Sequence, residues 1–358
     1  MRFKLSTILI LLLLPASTIF AQLGGTSTYN FLQLPVSSRS AALGGNFMAV
    51  RDGDLSLATT NPSFLDSSVN NHFALSYIPF FAGISYGYFS YAHTFDTVGP
   101  LKKVGTIALS IKYIDYGAFT YADITGNEGG TFWGGEYLFQ ASYGRPLMDS
   151  TFSGGASLKV VYSHMYQYYS WGMAIDLAGS YVSPNRRFFM GLLVQNAGYQ
   201  FKDYTPGNNE PLPFDVKFGL AGKLAHAPFR LGLTVQHMQK WDLTYIDPAD
   251  TATINPLTNQ VITHSKLGAF ADKAMRHLVP NLEFILGKNF MLRFAYNYEM
   301  RKELELTARR GLVGFSAGFG IKIYKFQINY AIASYHLAGA SNTFTIGVAM
   351  EDFARHKT

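Results

Sequence analysis

The sequence predicts an all-β fold: a transmembrane antiparallel β-barrel of about 14 strands with an N-terminal plug-like segment. Three observations predict it, namely an export signal, a repeated alternation of apolar and polar residues, and an aromatic-rich, charge-poor composition. They divide the chain into a signal peptide (residues 1–21), an N-terminal plug or periplasmic segment (residues 22–71) and a transmembrane β-barrel (residues 72–358).

The N-terminus has the order of features typical of a secretory signal peptide. Arg2 and Lys4 precede an apolar run over residues 5–14, and small residues follow up to Ala21, after which we expect cleavage. An apolar run of about ten residues is too short to span a bilayer as a helix, which needs roughly 20. No later stretch is apolar for long enough, so the sequence excludes an α-helical membrane protein and predicts export to the cell outer membrane.

The composition narrows the class of protein further. The chain has 23 Tyr, 29 Phe and 34 Gly, only 15% charged residues and no Cys. Such a surface is unusual in water, and without cysteine the protein has neither disulfides nor a catalytic thiol. Without Arg2 and Lys4 the net charge falls from +6 to +4, and no Lys/Arg cluster indicates nucleic-acid binding.

Alternation with period two is the main structural signal, because it places successive side chains on opposite faces of a sheet. In residues 106–113, Ile107, Leu109 and Ile111 share one face, while Ser110 and Lys112 share the other. A soluble β-sandwich also alternates and remains an alternative. The small or charged second face, and aromatic residues near strand ends, favour a barrel with lipid outside and a wet or plugged lumen.

The pattern predicts fourteen strands, an even number as expected for a single-chain bacterial barrel. Their expected starts are His72, Ala82, Lys103, Gly135, Ser153, Ser170, Arg187, Leu212, Pro228, Arg276, Asn289, Leu312, Lys325 and Asn342. Compact links follow the even-numbered strands, and the long links over residues 117–134, 198–211, 241–275 and 302–311 all follow odd-numbered ones. If the rim of short turns faces the periplasm, the long links are extracellular.

No motif indicates catalysis, a cofactor or a metal. Asp52-Gly53-Asp54 lacks the later ligands of a calcium loop and favours a turn, and the glycines at 311, 314, 318 and 320 lie in a strand pattern. The histidines are scattered without metal-ligand spacing. The sequence therefore predicts a protein that is not an enzyme.

Several stretches resemble the PorV/PorQ family of outer-membrane proteins. They are residues 23–32 (LGGTSTYNFL), 40–46 (SAALGGN) and 61–63 (NPS). Further stretches are similar to the PorQ-like members, namely residues 210–214, 225–230, 239–245, 275–277 and 333–342. Together they extend over nearly the whole chain after the signal peptide.

This resemblance implies a component of the type IX protein secretion system of Bacteroidetes. Family members of this kind belong to the attachment complex that processes exported proteins and joins them to lipopolysaccharide. The resemblance implies a PorZ-like surface protein as the anchored partner, with PorU-like and PorV-like components alongside. It brings no catalytic residue, because the peptidase of that complex is the PorU-like component.

A docking role leads us to expect partner contacts on extracellular loops, where exposed aromatic residues supply much of the interface energy. The expected residues are Trp133, Tyr199, Phe201, Trp241, Tyr245 and Phe270. The alternative function is a fatty-acid-transporter-like channel for hydrophobic small molecules. A general porin is a third possibility, although a plugged lumen should conduct poorly.

Overall fold

The structure is a computed structural model. It describes residues 27–80, 82–98, 101–147, 151–244, 266–287, 289–304, 312–336 and 339–350. The predicted signal peptide lies outside these ranges. No helix within them is long and apolar enough to cross a membrane.

Fourteen antiparallel strands form one closed barrel, as the sequence predicted. Each strand pairs with its neighbours in sequence, and β1 pairs with β14 from His72↔Ala349 to Tyr77↔Phe344 to close the sheet. The strands are β1 His72–Pro79, β2 Ser85–Val98, β3 Leu101–Ala122, β4 Glu128–Leu147, β5 Phe152–Met165, β6 Tyr168–Val182, β7 Phe188–Lys202, β8 Asp215–Lys223, β9 Phe229–Val235, β10 Leu278–Leu286, β11 Phe290–Tyr296, β12 Phe315–Ile323, β13 Phe326–His336 and β14 Gly339–Ala349.

The two faces of the wall have the predicted chemistry. On β3, Leu109 and Ile111 are exposed on the outside, whereas Ser110 and Lys112 are buried on the inside. Strand β11 repeats the pattern with exposed Phe294 next to fully buried Arg293. Because the described outer face is mainly apolar and the inner face is largely polar, the barrel is a transmembrane one whose outer wall contacts lipid.

The lumen is filled by the N-terminal segment, defined here as residues 27–71. It contains two short α-helices, α1 (Ser38–Ala42) and α2 (Leu55–Thr60), and three 3₁₀ turns at Asn30–Gln33, Pro62–Phe64 and Ser67–Val69. Its first residues lie at the rim of long links, where the Thr28 backbone N–H donates to the Pro211 carbonyl (3.0 Å). Its last residues lie at the rim of short turns, where the Asn70 side chain accepts a hydrogen bond from the Thr94 backbone (2.8 Å). The segment therefore runs through the barrel from one rim to the other.

Inward-facing glycines let this segment lie directly against the wall. A Cβ added at Gly144 or Gly155 would overlap the backbone of Pro62, and one added at Gly191 would overlap the carbonyl of Met48. Side chains at these positions would push the segment away from β4, β5 and β7. The glycines thus set how closely the segment and the barrel pack.

The prediction for the link over residues 117–134 was wrong. Strand β3 continues to Ala122 and β4 begins at Glu128, so most of this stretch is a β-hairpin. The alternation there is interrupted by Gly117, Gly126, Gly129 and Gly130, and such a glycine-rich stretch is typical of a loop. The sequence predicted neither α3 (Lys266–His277), which lies largely in the link over residues 241–275, nor α4 (Tyr298–Leu304), which begins before the predicted link over residues 302–311.

The glycine contacts give a first testable prediction. Gly155→Ala should lower the free energy of unfolding by about 1–3 kcal/mol, because its methyl group would overlap the Pro62 backbone. Gly154→Ala is the matched control, since it faces outward and its Cβ would meet only Leu147 at 3.7 Å. Denaturant unfolding of both variants in detergent measures the difference. Equal stability of the two would contradict the close contact between segment and wall.

Candidate functional site

Six charged side chains join the N-terminal segment to the barrel wall. Arg39 of α1 donates to Asp52 (Nη1–Oδ1 and Nη2–Oδ2, both 2.8 Å) and to Glu283 of β10 (Nε–Oε1, 3.0 Å). Glu283 also accepts from Arg230 of β9 (2.6 Å) and from Arg293 of β11 (3.1 Å). Asp54 completes the set at 3.3 Å from Arg39. Three positive and three negative groups balance inside the lumen.

Local sequence positions the residues of this network on the segment. Ser37 caps α1 by accepting from the Ser40 backbone, and the left-handed Gly44 (φ +88°) follows the end of the helix. Asp54 caps α2 by accepting from the backbones of Ser56 and Leu57, and Gly53 (φ +84°) makes the turn before it. Asp52-Gly53-Asp54 is therefore the predicted turn. Asp52 binds Arg39, and Asp54 caps α2.

On the wall, the network residues are placed by the strand register. Arg230 pairs with Glu283, and Glu283 pairs with Arg293, so three neighbouring strands present alternating charges at one level. Glu283 and Arg293 are almost completely buried, and burial of a lone charge there would be very costly. The Arg39 guanidinium contacts three carboxylates at once, and its bond to Glu283 fixes α1 against β10.

A small cavity lies between the N-terminal segment and the inner faces of β2 to β5, β7 and β8. It measures about 40 Å³ and includes three inward-facing lysines, Lys112, Lys159 and Lys217. Lys159 pairs with Asp176 (2.6 Å) and Lys217 with Asp215 (3.3 Å). The Lys112 ammonium donates to the carbonyl oxygens of Phe31 and Leu34. These bonds anchor the part of the N-terminal segment that lies nearest the rim of long links. The cavity has room for about a water molecule.

The rim of long links carries a projecting hairpin, residues 116–133 of β3 and β4. Strand β2 pairs with β3 only as far as Asp115, and β5 pairs with β4 only from Gly134. Beyond those residues the two strands pair with each other alone among the described strands. Phe119 stacks on Phe132 (5.3 Å between ring centroids), and Tyr166 of the next turn packs against the hairpin. The hairpin therefore stands above the barrel with an aromatic surface.

The tip of the hairpin is ordered by one side chain. Asp123 accepts hydrogen bonds from the side chain and backbone of Thr125 and from the backbone of Asn127, at 2.7, 2.8 and 2.9 Å. These bonds, the one from the Thr125 hydroxyl first, lower the pKa of Asp123 to about 2. The turn thus keeps its negative charge and its shape at any physiological pH.

A second aromatic surface lies on the link between β9 and β10. The Trp241 ring stacks on His277 (5.4 Å) and lies 5.5 Å from the Phe270 ring of α3. Lys273 of α3 donates to Asp242 (2.6 Å) and, as the main cause, lowers the pKa of Asp242 to about 2. This ion pair holds the stretch around Asp242 against α3. Trp241 and Phe270 lie exposed side by side.

Beneath this surface, His237 lies between two carboxylates. Its Nδ1 is 3.2 Å from Asp215 and its Nε2 is 3.5 Å from Glu299 of α4. Burial by itself would lower the pKa of His237, but the hydrogen bond and charge of Asp215 raise it above the ordinary value. Burial also raises the pKa of Glu299 to about 7. The contact between His237 and Glu299 of α4 therefore depends on the protonation of these two side chains near neutral pH.

The structure brings together only some of the predicted partner-binding residues. Trp241 and Phe270 are in contact, and Tyr199 and Phe201 are adjacent (5.8 Å) with Trp171 stacked on Phe201. The prediction that Trp133, Tyr199 and Phe201 lie in loops was wrong, since they belong to strands. All five described residues are between 53% and 60% exposed, and Tyr245 lies outside the described residues.

Sequence reasoning missed the six-charge network. Alternation puts Arg293 on the face of β11 opposite Leu292 and Phe294, but nothing in the spacing shows which residue of the N-terminal segment meets it. Arg39 is followed by Ser, Ala, Ala and Leu, and such a lone arginine gives no signal. Its pairing with Glu283 joins positions 244 residues apart.

The fold and the lumen define the class: a transmembrane β-barrel whose lumen is filled by its own N-terminal segment. No protein-family model matches the chain. No curated protein matches it either. Similar solved structures include TodX, a monoaromatic hydrocarbon channel solved as a deltaS2 mutant (11% identity over 88% of this chain and 97% of that one, TM-score 0.48).

Two further solved structures are similar at lower scores. A FadL homologue of Pseudomonas aeruginosa has 9% identity over 88% of this chain and 96% of its own, with a TM-score of 0.39. The outer membrane phospholipase A of Escherichia coli has 12% identity over 60% and 83%, with a TM-score of 0.27. The activities in these names are properties of those proteins.

The charge network gives a second prediction. Glu283→Gln should lower the free energy of unfolding by about 3–5 kcal/mol, because it leaves three arginines facing two carboxylates in the lumen. Glu128→Gln on the exposed hairpin is the control for the same substitution, with an expected change within about 0.5 kcal/mol. Denaturant titration of the folded barrel measures both. A small loss for the Glu283 variant would show that the network does not hold the segment.

The protonation of Glu299 and His237 gives a third prediction. Both pKa values are raised in the folded protein, so the folded state binds more protons than the unfolded chain and loses stability as pH rises. Between about pH 5 and about pH 8, amide exchange in residues 236–239 and 298–304 should accelerate beyond its intrinsic pH dependence. In Glu299→Gln this extra acceleration should be much smaller. An unchanged profile in that variant would contradict the assignment.

Proposed function

We propose that this chain is a PorQ-like outer-membrane barrel of the type IX secretion attachment complex. In this role it holds a PorZ-like surface protein at the cell outer membrane, alongside PorU-like and PorV-like components. The barrel itself performs no catalysis. It anchors a partner that takes part in processing exported proteins and attaching them to lipopolysaccharide.

Contacts between the family-like stretches support this proposal. Residues 239–245 and 275–277 are separate in sequence, yet Trp241 of the first stacks on His277 of the second. Residues 23–32 and 210–214 also meet, since the Thr28 backbone donates to the Pro211 carbonyl. Both contacts lie at the rim of long links. The resemblance therefore includes residues that build this rim as well as residues of the wall.

The observation that carries a docking role is the projecting hairpin at residues 116–133. It has two strand edges without a described neighbour, and a partner could add a strand to such an edge. Phe119, Tyr121 and Trp133 add exposed aromatic surface of the kind that anchors protein interfaces. A hairpin of this length is not needed to close the barrel. Contact with another protein accounts for its projection above the rim.

Transport of hydrophobic small molecules is the alternative function. It would need a path through the lumen, but the N-terminal segment runs from rim to rim there. The cavity between the N-terminal segment and the wall is small and lined in part by lysines, which suits water better than a hydrocarbon. Transport would therefore require the segment to move and the six-charge network to break.

The docking role predicts a loss of partner recovery when the hairpin is shortened. Replacing residues 117–132 by Asn-Gly keeps the strands of the closed wall and supplies a tight turn. Affinity purification of the full-length barrel from gently solubilised outer membranes, with mass spectrometry, should recover at least about tenfold less surface protein for this variant. Trp241→Ala tests the second aromatic surface in the same experiment.

Phe344→Ala is the control for this experiment, because Phe344 is an exposed aromatic residue on the outer wall of β14. It should leave partner recovery unchanged. Unchanged recovery with the shortened hairpin and Trp241→Ala combined would contradict docking at this rim. Recovery of the barrel without any surface protein, with uptake of hydrophobic compounds lost on deletion of the gene, would favour transport.

The filled lumen predicts a low conductance. In planar bilayers the full chain should show no large steady single-channel current, because the N-terminal segment occupies the lumen from rim to rim. Glu283→Gln and Gly155→Ala should increase the frequency of transient openings, since each weakens a different contact of the segment. A large steady current from the unmodified protein would show that the segment does not block the lumen.

A further inference from the structure

We propose that the outer wall binds a phospholipid next to the rim of short turns. Its acyl chain lies in a hollow over Gly154 and Gly179, and its phosphate binds Arg145. This site faces the membrane and is separate from the partner-binding rim, so it does not rest on the docking role.

The hollow is a feature of the outer face of β4 to β8. Its volume is about 830 Å³, and its lining is almost wholly apolar, including Leu147, Phe152, Gly154, Gly179, Leu192 and Phe218. Cross-strand pairing places Gly154 opposite Gly179, Gly179 opposite Leu192, and Leu192 opposite Phe218. Two adjacent glycines leave a gap in the apolar surface, while larger side chains rise around it.

Arg145 stands at the edge of this hollow. It pairs directly with Gly154 and shares the outward face of β4 with Tyr143 and Leu147. An exposed arginine on the lipid face is costly in the middle of a membrane but tolerated near an interface. Arg145 is two residues from the end of β4, which places it about 7 Å from the rim. That depth suits a headgroup phosphate.

Further cations lie farther along the rim of short turns, at the ends of β6 to β8. Arg186 and Arg187 are exposed in the turn between β6 and β7, and Lys223 ends β8, where its backbone N–H donates to the Arg187 carbonyl (2.7 Å). Among the described residues, Arg145, Arg187 and Lys223 form no ion pair. A guanidinium binds phosphate oxygens through two parallel hydrogen bonds. The apolar hollow and the neighbouring Arg145 together select a lipid with an anionic headgroup.

The site is tested by filling the hollow and removing the charge. Gly179→Leu adds a side chain where a Cβ would meet nothing within 4 Å, so the barrel should still fold. Arg145→Gln removes the guanidinium and keeps the length of a polar side chain. Gly222→Leu is the control, because Gly222 also faces outward with nothing within 4 Å of its Cβ but does not line the hollow.

The measurement is native mass spectrometry of the full chain in mild detergent, titrated with phosphatidylglycerol. We expect one tightly bound lipid on the unmodified protein and on Gly222→Leu, and about tenfold weaker binding to Gly179→Leu and to Arg145→Gln, as for the loss of a hydrogen bond to a charged group. Equal binding to all four proteins would overturn the proposal. Weaker binding to Gly179→Leu alone would also overturn it, because the hollow would then hold an apolar group without a phosphate.

Discussion

The buried contact of Arg39 with Glu283 and Asp52 is the interaction on which the arrangement of the lumen depends. Without Arg39, Asp52 would keep only Arg230 as a partner, and the wall would carry two arginines for one glutamate. A buried ion pair adds little net stability compared with apolar packing, but breaking one leaves an unpaired charge at high cost. The network therefore acts mainly by specifying one position for α1.

The position of α1 has consequences at both rims. Towards the long links, Lys112 fixes the carbonyls of Phe31 and Leu34, so the chain reaches the rim at Thr28. Towards the short turns, Pro62 lies against β4 and β5, and the chain then leads into β1. The barrel wall and the N-terminal segment thus form one folded unit. The hairpin at residues 116–133 projects above this unit and makes no contribution to filling the lumen.

The sequence predicted the barrel well because its main signal is local. Alternation assigns Leu109 and Ser110 to opposite faces without any knowledge of their neighbours, and the even strand count follows from the spacing of the links. The extent of the hairpin was missed because its glycines resemble a loop, although cross-strand pairing keeps it extended. The six-charge network was missed because it joins residues through the closed barrel, and spacing carries no record of such contacts.

The glycines of β5 to β8 show how one wall serves two different surfaces. Gly155, Gly191 and Gly219 face inward, where they admit the backbone or side chains of the N-terminal segment. Gly154 and Gly179 face outward, where their missing side chains leave the membrane-facing hollow. Since neighbouring residues of a strand point to opposite faces, Gly154 and Gly155 make the wall thin at one level on both sides. The N-terminal segment supports the wall from within at this level, and a filled hollow would support it from the membrane.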